Sequence, residues 1–159
     1  MEYDIQLEDV THLQPLAVVR LLARPQELSK VVPQACGIVW NVIRAQQIKG
    51  VGRHVAIYLD GLINLEVGVE LAAPFAGAGE VVGSSIPIGR VAKATHSGPY
   101  GKLYEVHTAI RDWCARHGHA LAGPSWEIYG HWIDEWNRDP SKIRTDVYYL
   151  LKTIGDSKS

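Results

Sequence analysis

The sequence lacks the features that mark several broad classes of protein. It has no run rich in lysine and arginine that could neutralise a row of phosphates, and its 16 basic and 17 acidic residues nearly cancel, so nucleic acid is not expected as a direct partner. No apolar run approaches the ~20 residues needed to span a bilayer. The acidic start, Met1-Glu2-Tyr3-Asp4, lacks the basic start and apolar core of a signal peptide. We therefore expect a cytoplasmic protein with no membrane partner.

The sequence is also poor in residues that would form a disulfide, a metal centre or a covalent nucleophile. Cys36 and Cys114 each lie in an apolar helical pattern and are predicted to be small core residues. His117 and His119 have no third ligand at a recognisable spacing, so no metal is expected. The glycines of residues 77–83 do not follow a strand and open a helix as phosphate loops do. No serine or cysteine nucleophile is recognised, and we expect no cofactor.

What the sequence does contain is enough apolar material for one substantial core. Of its 159 residues, 47% are hydrophobic and 21% are charged, which favours one domain over the whole of residues 1–159. Residues 14–73 have the pattern of a strand, an amphipathic helix and two further strands, the last two joined by a turn at Asp60-Gly61. The apolar stripe of the helix consists of Val32, Cys36, Val39 and Ile43.

The second half of the sequence repeats this order of elements. Residues 87–152 have the pattern of a strand, a helix that follows Ser97-Gly98-Pro99 and ends at Gly118, and two further strands. Residues 52–58 align with 123–129, and residues 65–69 align with 145–149, without a gap. The stretch between the two modules, residues 74–86, is rich in glycine, alanine and proline and is predicted to be a linker.

The duplication predicts an α+β fold made of two strand-helix-strand-strand modules. Each module would form a small antiparallel sheet that its helix covers on one face. The other faces of the two sheets would curve around a central groove, and ligands gather in such concave seams. We therefore expect the partner to be a small molecule, and the sequence leaves the oligomeric state open.

One acidic residue, Glu127, lies in the middle of an apolar and aromatic strand, predicted to run from Trp126 to Trp132. Because side chains alternate along a strand, Glu127 shares one face with Tyr129 and His131. The opposite face contains Trp126, Ile128 and Trp132. Since burial of an unpaired charge is costly, we expect Glu127 to face water or a cavity built for a ligand.

The internal repeat gives a reason to connect Glu127 with function. Its counterpart in the first module is Ala56, so the architecture of the module does not require an acid at this position. The competing interpretation is a half-exposed glutamate paired with Arg144 or another base. His96 and His107 are predicted to be structural histidines, since the first begins a strand-to-helix turn and the second lies on an apolar helical face.

Aromatic residues with a polar group are frequent, since the sequence has five tryptophans and seven tyrosines but a single phenylalanine. Such amphipathic rings suit a pocket that stacks flat ligands, although any single tryptophan is more often an ordinary core residue. Tyr148 corresponds to Gly68 in the repeat, and this difference would make a pocket asymmetric, although Gly68 could equally mark a bulge. The predicted ligand-binding residues are Glu127, Tyr148, Tyr129, Trp132, Trp136, Trp40, Tyr58, Gly68 and Tyr104.

Several separated motifs together resemble one known family. They are His96-Ser97-Gly98-Pro99-Tyr100, a helix with Trp113, Gly123-Pro124-Ser125-Trp126-Glu127-Ile128-Tyr129, and Thr145-Asp146-Val147-Tyr148. In this order they resemble the signature of GyrI-like small-molecule-binding domains, which are the effector-binding domains of AraC-type and BmrR-type regulators and also occur as free-standing proteins. The resemblance implies a groove in which a glutamate, surrounded by aromatic residues, receives cationic and flat aromatic drugs. It assigns that role to Glu127, with Tyr148 and its aromatic neighbours as walls.

The resemblance leaves three functions open. The first is binding or sequestration of flat aromatic and lipophilic cationic molecules. The second is hydrolysis, since some free-standing members open the cyclopropane ring of DNA-alkylating natural products; Glu127 would then be the general base and Tyr148 a hydrogen-bond donor. The third is a protein-interaction domain that uses exposed aromatics near Trp136. The sequence begins directly with the first module, so direct transcriptional control through a helix-turn-helix is not expected. A register error of one residue would exchange Tyr148 and Tyr149.

Overall fold

The structure, a computed structural model, describes residues 3–60 and 64–153. The main elements are β1 (Gln6–Val10), β2 (Pro15–Leu22), α1 (Leu28–Ala45), β3 (His54–Asp60), β4 (Asn64–Glu70), β5 (Val81–Ser85), β6 (Gly89–Ser97), α2 (Leu103–Arg116), β7 (Leu121–Tyr129), α3 (Glu135–Arg138) and β8 (Arg144–Leu151). Short 3-10 turns occupy Pro25–Glu27, Tyr100–Lys102 and Pro140–Lys142. The turn predicted at Asp60-Gly61 falls partly on residues 61–63, outside the described residues.

The chain divides into two units, and each contains the predicted strand-helix-strand-strand order. The N-terminal unit comprises residues 12–87, and its strands lie in the antiparallel order β3-β4-β2-β5. Helix α1 packs on β2 and β4. Val39 and Ile43 are buried as the apolar stripe predicts, while Ala35 is buried in place of the half-exposed Cys36.

The C-terminal unit comprises residues 1–11 and 88–159, and its strands lie in the antiparallel order β1-β6-β8-β7. Helix α2 packs on β6 and β8. Its buried residues Val106, Ile110 and Cys114 lie against Val147 and other apolar residues of the sheet. The helix ends before Gly118, whose φ of 75° lies in the left-handed region that glycine adopts without strain. The α+β class and the antiparallel sheets are confirmed.

Two strands were not predicted. β5 lies inside the stretch predicted to be a linker and pairs with β2, and β1 pairs with β6. Each is the edge strand of its sheet, and each precedes the module whose sheet it does not join. Edge strands tolerate glycine and charged residues, which explains why Gly83 in β5 and Glu8 and Asp9 in β1 hid them from a pattern of apolar alternation.

The strand that contains Glu127 is shifted relative to its prediction. β7 runs from Leu121 to Tyr129, whereas the prediction placed it between Trp126 and Trp132. Gly130 follows the strand directly, and Trp132 therefore lies in the segment between β7 and α3, outside the sheet. The predicted face shared by Trp126 and Trp132 does not exist.

Gly68 is small because two strands approach closely at its position. A Cβ at Gly68 would lie 1.8 Å from the carbonyl oxygen of Ala17 and 2.8 Å from Cα of Val18, both in β2. Glycine within a strand often marks such a close backbone approach. Packing inside the N-terminal unit therefore explains why this position has no side chain.

Gly68→Ala is expected to lower the free energy of unfolding by about 3 kcal/mol, because the backbone of β2 must move to accept the methyl group. Gly37→Ala is the matched control, since Gly37 lies in α1 with no atom within 4 Å of the added Cβ. It should raise the free energy of unfolding by up to about 1 kcal/mol through helix propensity. Chemical denaturation measures both changes, and equal effects would contradict this interpretation of Gly68.

Candidate functional site

Glu127 is buried on the face of the C-terminal sheet that α2 covers. Its exposed fraction is 4%. One carboxylate oxygen accepts a hydrogen bond from Nε2 of His107, in α2, at 2.6 Å. The other accepts a hydrogen bond from the hydroxyl of Tyr129, two residues along β7 on the same face, at 2.5 Å. Glu127 therefore does not face water, and the interpretation as a half-exposed residue is wrong, although the carboxylate does pair with a base, which is His107.

The carboxylate belongs to a hydrogen-bond network that connects β7, α2 and β8. Arg111 donates to the hydroxyl oxygen of Tyr149 at 3.0 Å. That hydroxyl lies 2.7 Å from Nδ1 of His107, whose Nε2 lies 2.6 Å from Glu127. Because a carboxylate only accepts hydrogen bonds, Nε2 of His107 carries the proton of that contact. In the tautomer with its proton on Nε2, Nδ1 is free to accept from the hydroxyl of Tyr149.

The phenol of Tyr149 stays protonated at neutral pH. Burial raises its pKa above the ordinary value of tyrosine, and this effect exceeds the opposing influence of the Arg111 guanidinium. Tyr149 can therefore donate to His107 over the whole neutral pH range. The network connects exposed Arg111 to buried Glu127 through two intermediate side chains.

A series of aromatic rings leads from the carboxylate to the surface. The ring centroids of Tyr129 and Tyr100 are 5.6 Å apart in an edge-to-face arrangement. Tyr100 lies 6.5 Å from Trp132, and Trp132 lies 5.4 Å from Trp136. We call these four residues the aromatic series. Tyr100 and Trp132 are 43% and 50% exposed, so rings open to solvent lie next to a ring that is hydrogen-bonded to a buried anion.

Tyr148 lies on the opposite face of the sheet from Glu127. Glu127 pairs with Val147 across the β7–β8 ladder, and Trp126 pairs with Tyr148. The Tyr148 ring stacks on Trp126 with centroids 5.5 Å apart, and Nζ of Lys93 lies 5.3 Å from its centre. The predicted combination of Glu127 and Tyr148 is therefore corrected to Glu127 and Tyr149, because neighbouring residues of a strand point to opposite faces.

Comparison with known proteins agrees with this architecture. Residues 54–152 match the GyrI-like small molecule binding domain. The chain belongs to the GyrI-like family. No curated protein matches the sequence significantly.

Solved structures of the same fold share little sequence with this GyrI-like chain. The C-terminal domain of EcmrR superposes with a TM-score of 0.76 at 19% identity, covering 97% of this chain and 100% of that one. SAV2435 bound to tetraphenylphosphonium superposes with a TM-score of 0.67 at 12% identity, covering 98% of this chain and 97% of that one. A hydrolase from Listeria innocua superposes with a TM-score of 0.62 at 11% identity, covering 95% of this chain and 93% of that one. These similarities establish the fold.

The other predicted site residues of this GyrI-like domain are distributed over both units. Tyr104, in α2, is 66% exposed and makes no recorded ring contact with the aromatic series among the described residues. Trp40, Tyr58 and Gly68 belong to the N-terminal unit, where Trp40 donates from Nε1 to His54 at 2.8 Å and Tyr58 is buried in β3. That unit also has an open cleft of about 320 Å³, lined by Gln46, Ile48, Lys49 and residues 71–77.

Sequence reasoning missed three side chains of the site. His107 was expected to be structural, and Tyr100 and Arg111 were not singled out. His107 and Arg111 are four residues apart and therefore share one face of α2, which is the pattern that could have indicated a polar cluster beneath an otherwise apolar helix. Tyr100 is part of the His96 to Tyr100 motif but lies in the turn before α2.

Within residues 3–60 and 64–153, no group of three His, Cys, Asp or Glu side chains is arranged to hold a metal ion. Cys36 and Cys114 are free thiols. None of the described helices combines the length and the apolar character required to cross a membrane.

Proposed function

We propose that this GyrI-like domain binds flat aromatic and lipophilic cationic small molecules at the aromatic series, with Glu127 as the anionic group. The observation that carries the proposal is the carboxylate of Glu127, which is only 4% exposed and accepts a hydrogen bond from Tyr129. The ring of Tyr129 contacts the exposed ring of Tyr100, which in turn lies near the exposed ring of Trp132. Burying a charge is costly. A buried glutamate lowers stability here, and the first module has alanine at the corresponding position. Binding of a ligand best explains why the second module has a glutamate.

The electrostatics of the cluster support a cationic ligand. Nε2 of His107 and the uncharged phenol of Tyr129 both donate hydrogen bonds to Glu127, and these bonds stabilise a negative charge on the carboxylate. Attraction between unit charges 4 Å apart is about 4 kcal/mol at an effective dielectric constant near 20, against about 1 kcal/mol in water. Each well-placed ring adds a cation-π contribution of about 0.5–2 kcal/mol. The structure of SAV2435, which has a similar fold, contains bound tetraphenylphosphonium, a lipophilic cation.

Tyr100→Leu is expected to weaken binding of tetraphenylphosphonium and of a flat aromatic cation by about twofold to thirtyfold, which corresponds to one cation-π contact. Tyr104→Leu is the matched control, because it makes the same change at an exposed tyrosine outside the aromatic series. Isothermal titration calorimetry measures both. If Tyr104→Leu has the larger effect, the ligand lies along the exposed face of α2 and the aromatic series is not the site.

A second candidate function is hydrolysis of an electrophilic, flat molecule such as a cyclopropane-containing alkylator. It is favoured by the position of a carboxylate beside two phenol donors, Tyr129 and Tyr149, in one cluster. Glu127 would take a proton from the water that forms a bond to the ring carbon, and the cyclopropane C–C bond would break with its electron pair passing to the carbonyl oxygen of the ligand. Tyr129 would turn its hydroxyl from Glu127 to donate to that oxygen, the role first assigned to Tyr148. Mass spectrometry of the ligand after incubation decides between the two. A gain of one water that disappears in Glu127→Gln would establish hydrolysis, and recovery of unchanged ligand would exclude it.

A further inference from the structure

The hydroxyl of Thr145 is buried and has no hydrogen-bond partner among the described residues. Thr145 is 0% exposed, and its Oγ1 is one of two buried side-chain polar atoms in that part of the chain without a partner. It lies in β8 between His96 of β6 and Tyr129 of β7, paired with both across the sheet. All three side chains are therefore on the face that α2 covers.

The two side chains paired with Thr145 across the sheet form hydrogen bonds with other groups. Nδ1 of His96 accepts from the Tyr3 hydroxyl at 2.9 Å, and Nε2 lies 3.2 Å from the carbonyl oxygen of Pro99. The hydroxyl proton of Tyr129 is donated to Glu127. Because an unsatisfied buried hydroxyl destabilises a protein, valine would fill this strand position better. The presence of a hydroxyl at this buried position is explained if a ligand supplies its hydrogen-bond partner.

The aromatic series shows how a ligand would reach this hydroxyl. Tyr100 meets the Tyr129 ring edge-on and is itself 43% exposed. Side chains at the surface change rotamer quickly, and a flat ligand that enters between the Tyr100 and Tyr129 rings would lie over Tyr129 and keep a contact with Tyr100. On the sheet, Tyr129 has Thr145 directly beside it and Glu127 two residues away on the same face. A ligand in that position would have an anion and a free hydroxyl within reach.

We propose that Thr145 Oγ1 is a specificity-determining group of the ligand site, and that the site prefers flat aromatic cations that carry a hydroxyl or carbonyl group over cations that lack one. This inference rests on the proposed function. It adds to it a class of ligand, since a molecule such as tetraphenylphosphonium satisfies Glu127 and the rings but leaves Thr145 without a partner.

The test compares N-methylacridinium with a series of its monohydroxy derivatives, on the wild-type protein and on two variants. Thr145→Val removes the hydroxyl and keeps the branched shape, and Thr145→Ser keeps the hydroxyl and removes the methyl group. We expect at least one hydroxy derivative to bind the wild-type protein about threefold to tenfold more tightly than the parent cation. Thr145→Val should abolish this preference, while Thr145→Ser should retain it.

The remaining outcomes separate this inference from the proposed function. If Thr145→Val weakens binding of the parent cation and of the derivatives equally, Thr145 acts by packing. If the wild-type protein binds no derivative more tightly than the parent, the hydroxyl of Thr145 is not used. Either result overturns the inference and leaves cation binding intact. Absence of binding by every cation overturns the proposed function as well. Thermal unfolding of the free protein gives a second check. Thr145→Val should raise the melting temperature, and a decrease would show that the hydroxyl is already satisfied.

Discussion

Replacing Glu127 with glutamine is expected to weaken binding of tetraphenylphosphonium by at least about tenfold, and to change binding of triphenylphosphine oxide by less than about twofold. The two ligands present similar phenyl surfaces, but only the first is charged. The carboxylate attracts the cation in a partly dry site, where the Coulomb interaction is several times stronger than in water. Contacts with the rings are the same in both proteins. The difference between the two ligands therefore isolates the charge of Glu127.

Glutamine can occupy the position of Glu127 and keep both of its described contacts, with the direction of the hydrogen bond to Tyr129 reversed. Its carbonyl oxygen can accept from Nε2 of His107, and its amide can donate to the hydroxyl oxygen of Tyr129 once that hydroxyl rotates. Circular dichroism and thermal unfolding of the variant verify that the fold is retained. Titration calorimetry with both ligands gives the answer. Equal losses for the cation and for the neutral ligand would show that Glu127 contributes shape and not charge.

His107→Leu is expected to lower the free energy of unfolding by about 3 kcal/mol, because a buried carboxylate loses one of its two described donors. Leucine fills a similar volume, so the effect reports the lost hydrogen bonds more than a cavity. Urea denaturation monitored by tryptophan fluorescence measures the change. The expected size makes this the largest effect on stability of any substitution within the polar cluster.

The double variant His107→Leu, Glu127→Leu is the control for that prediction. It removes the buried charge together with its donor, and it should recover most of the lost stability, since replacing both partners by apolar groups is often nearly neutral. The hydroxyl of Tyr149 loses its partner His107 in both variants. The hydroxyl of Tyr129 loses its acceptor only in the double variant, so the recovered stability is a lower limit for the cost of the buried charge. A double variant as unstable as His107→Leu would mean that burial of Glu127 costs little, and the argument from its cost to a ligand would fail.

The fold could be predicted from the sequence where periodicity and turn residues agree. Helix α2 lies between Ser97-Gly98-Pro99 and Gly118 as predicted, and Cys114 is buried on it as predicted. The edge strands β1 and β5 could not be predicted in this way, because half of each faces away from the core and tolerates charge or glycine. Their assignment depends on pairing with β6 and β2, which are distant in sequence.

The site could be predicted only in part, for a related reason. Glu127 stands out in the sequence because it interrupts an apolar strand, and alternation correctly places Tyr129 beside it. Its partner His107 is 20 residues away, and nothing in a single sequence states which sheet face a helix covers. The choice between Tyr148 and Tyr149 depends on the β7–β8 register, and a shift of one residue reverses every side chain.

The central claim is that a lipophilic cation lies beside Glu127 and against the aromatic series. Crystals grown with tetraphenylarsonium test it directly, because the anomalous signal of arsenic locates the centre of the cation without reference to the phenyl rings. The account predicts an arsenic peak near the Glu127 carboxylate and within about 6 Å of the ring centroids of Tyr129 or Trp132. A peak only in the N-terminal cleft lined by Gln46, Lys49 and residues 71–77 would contradict it.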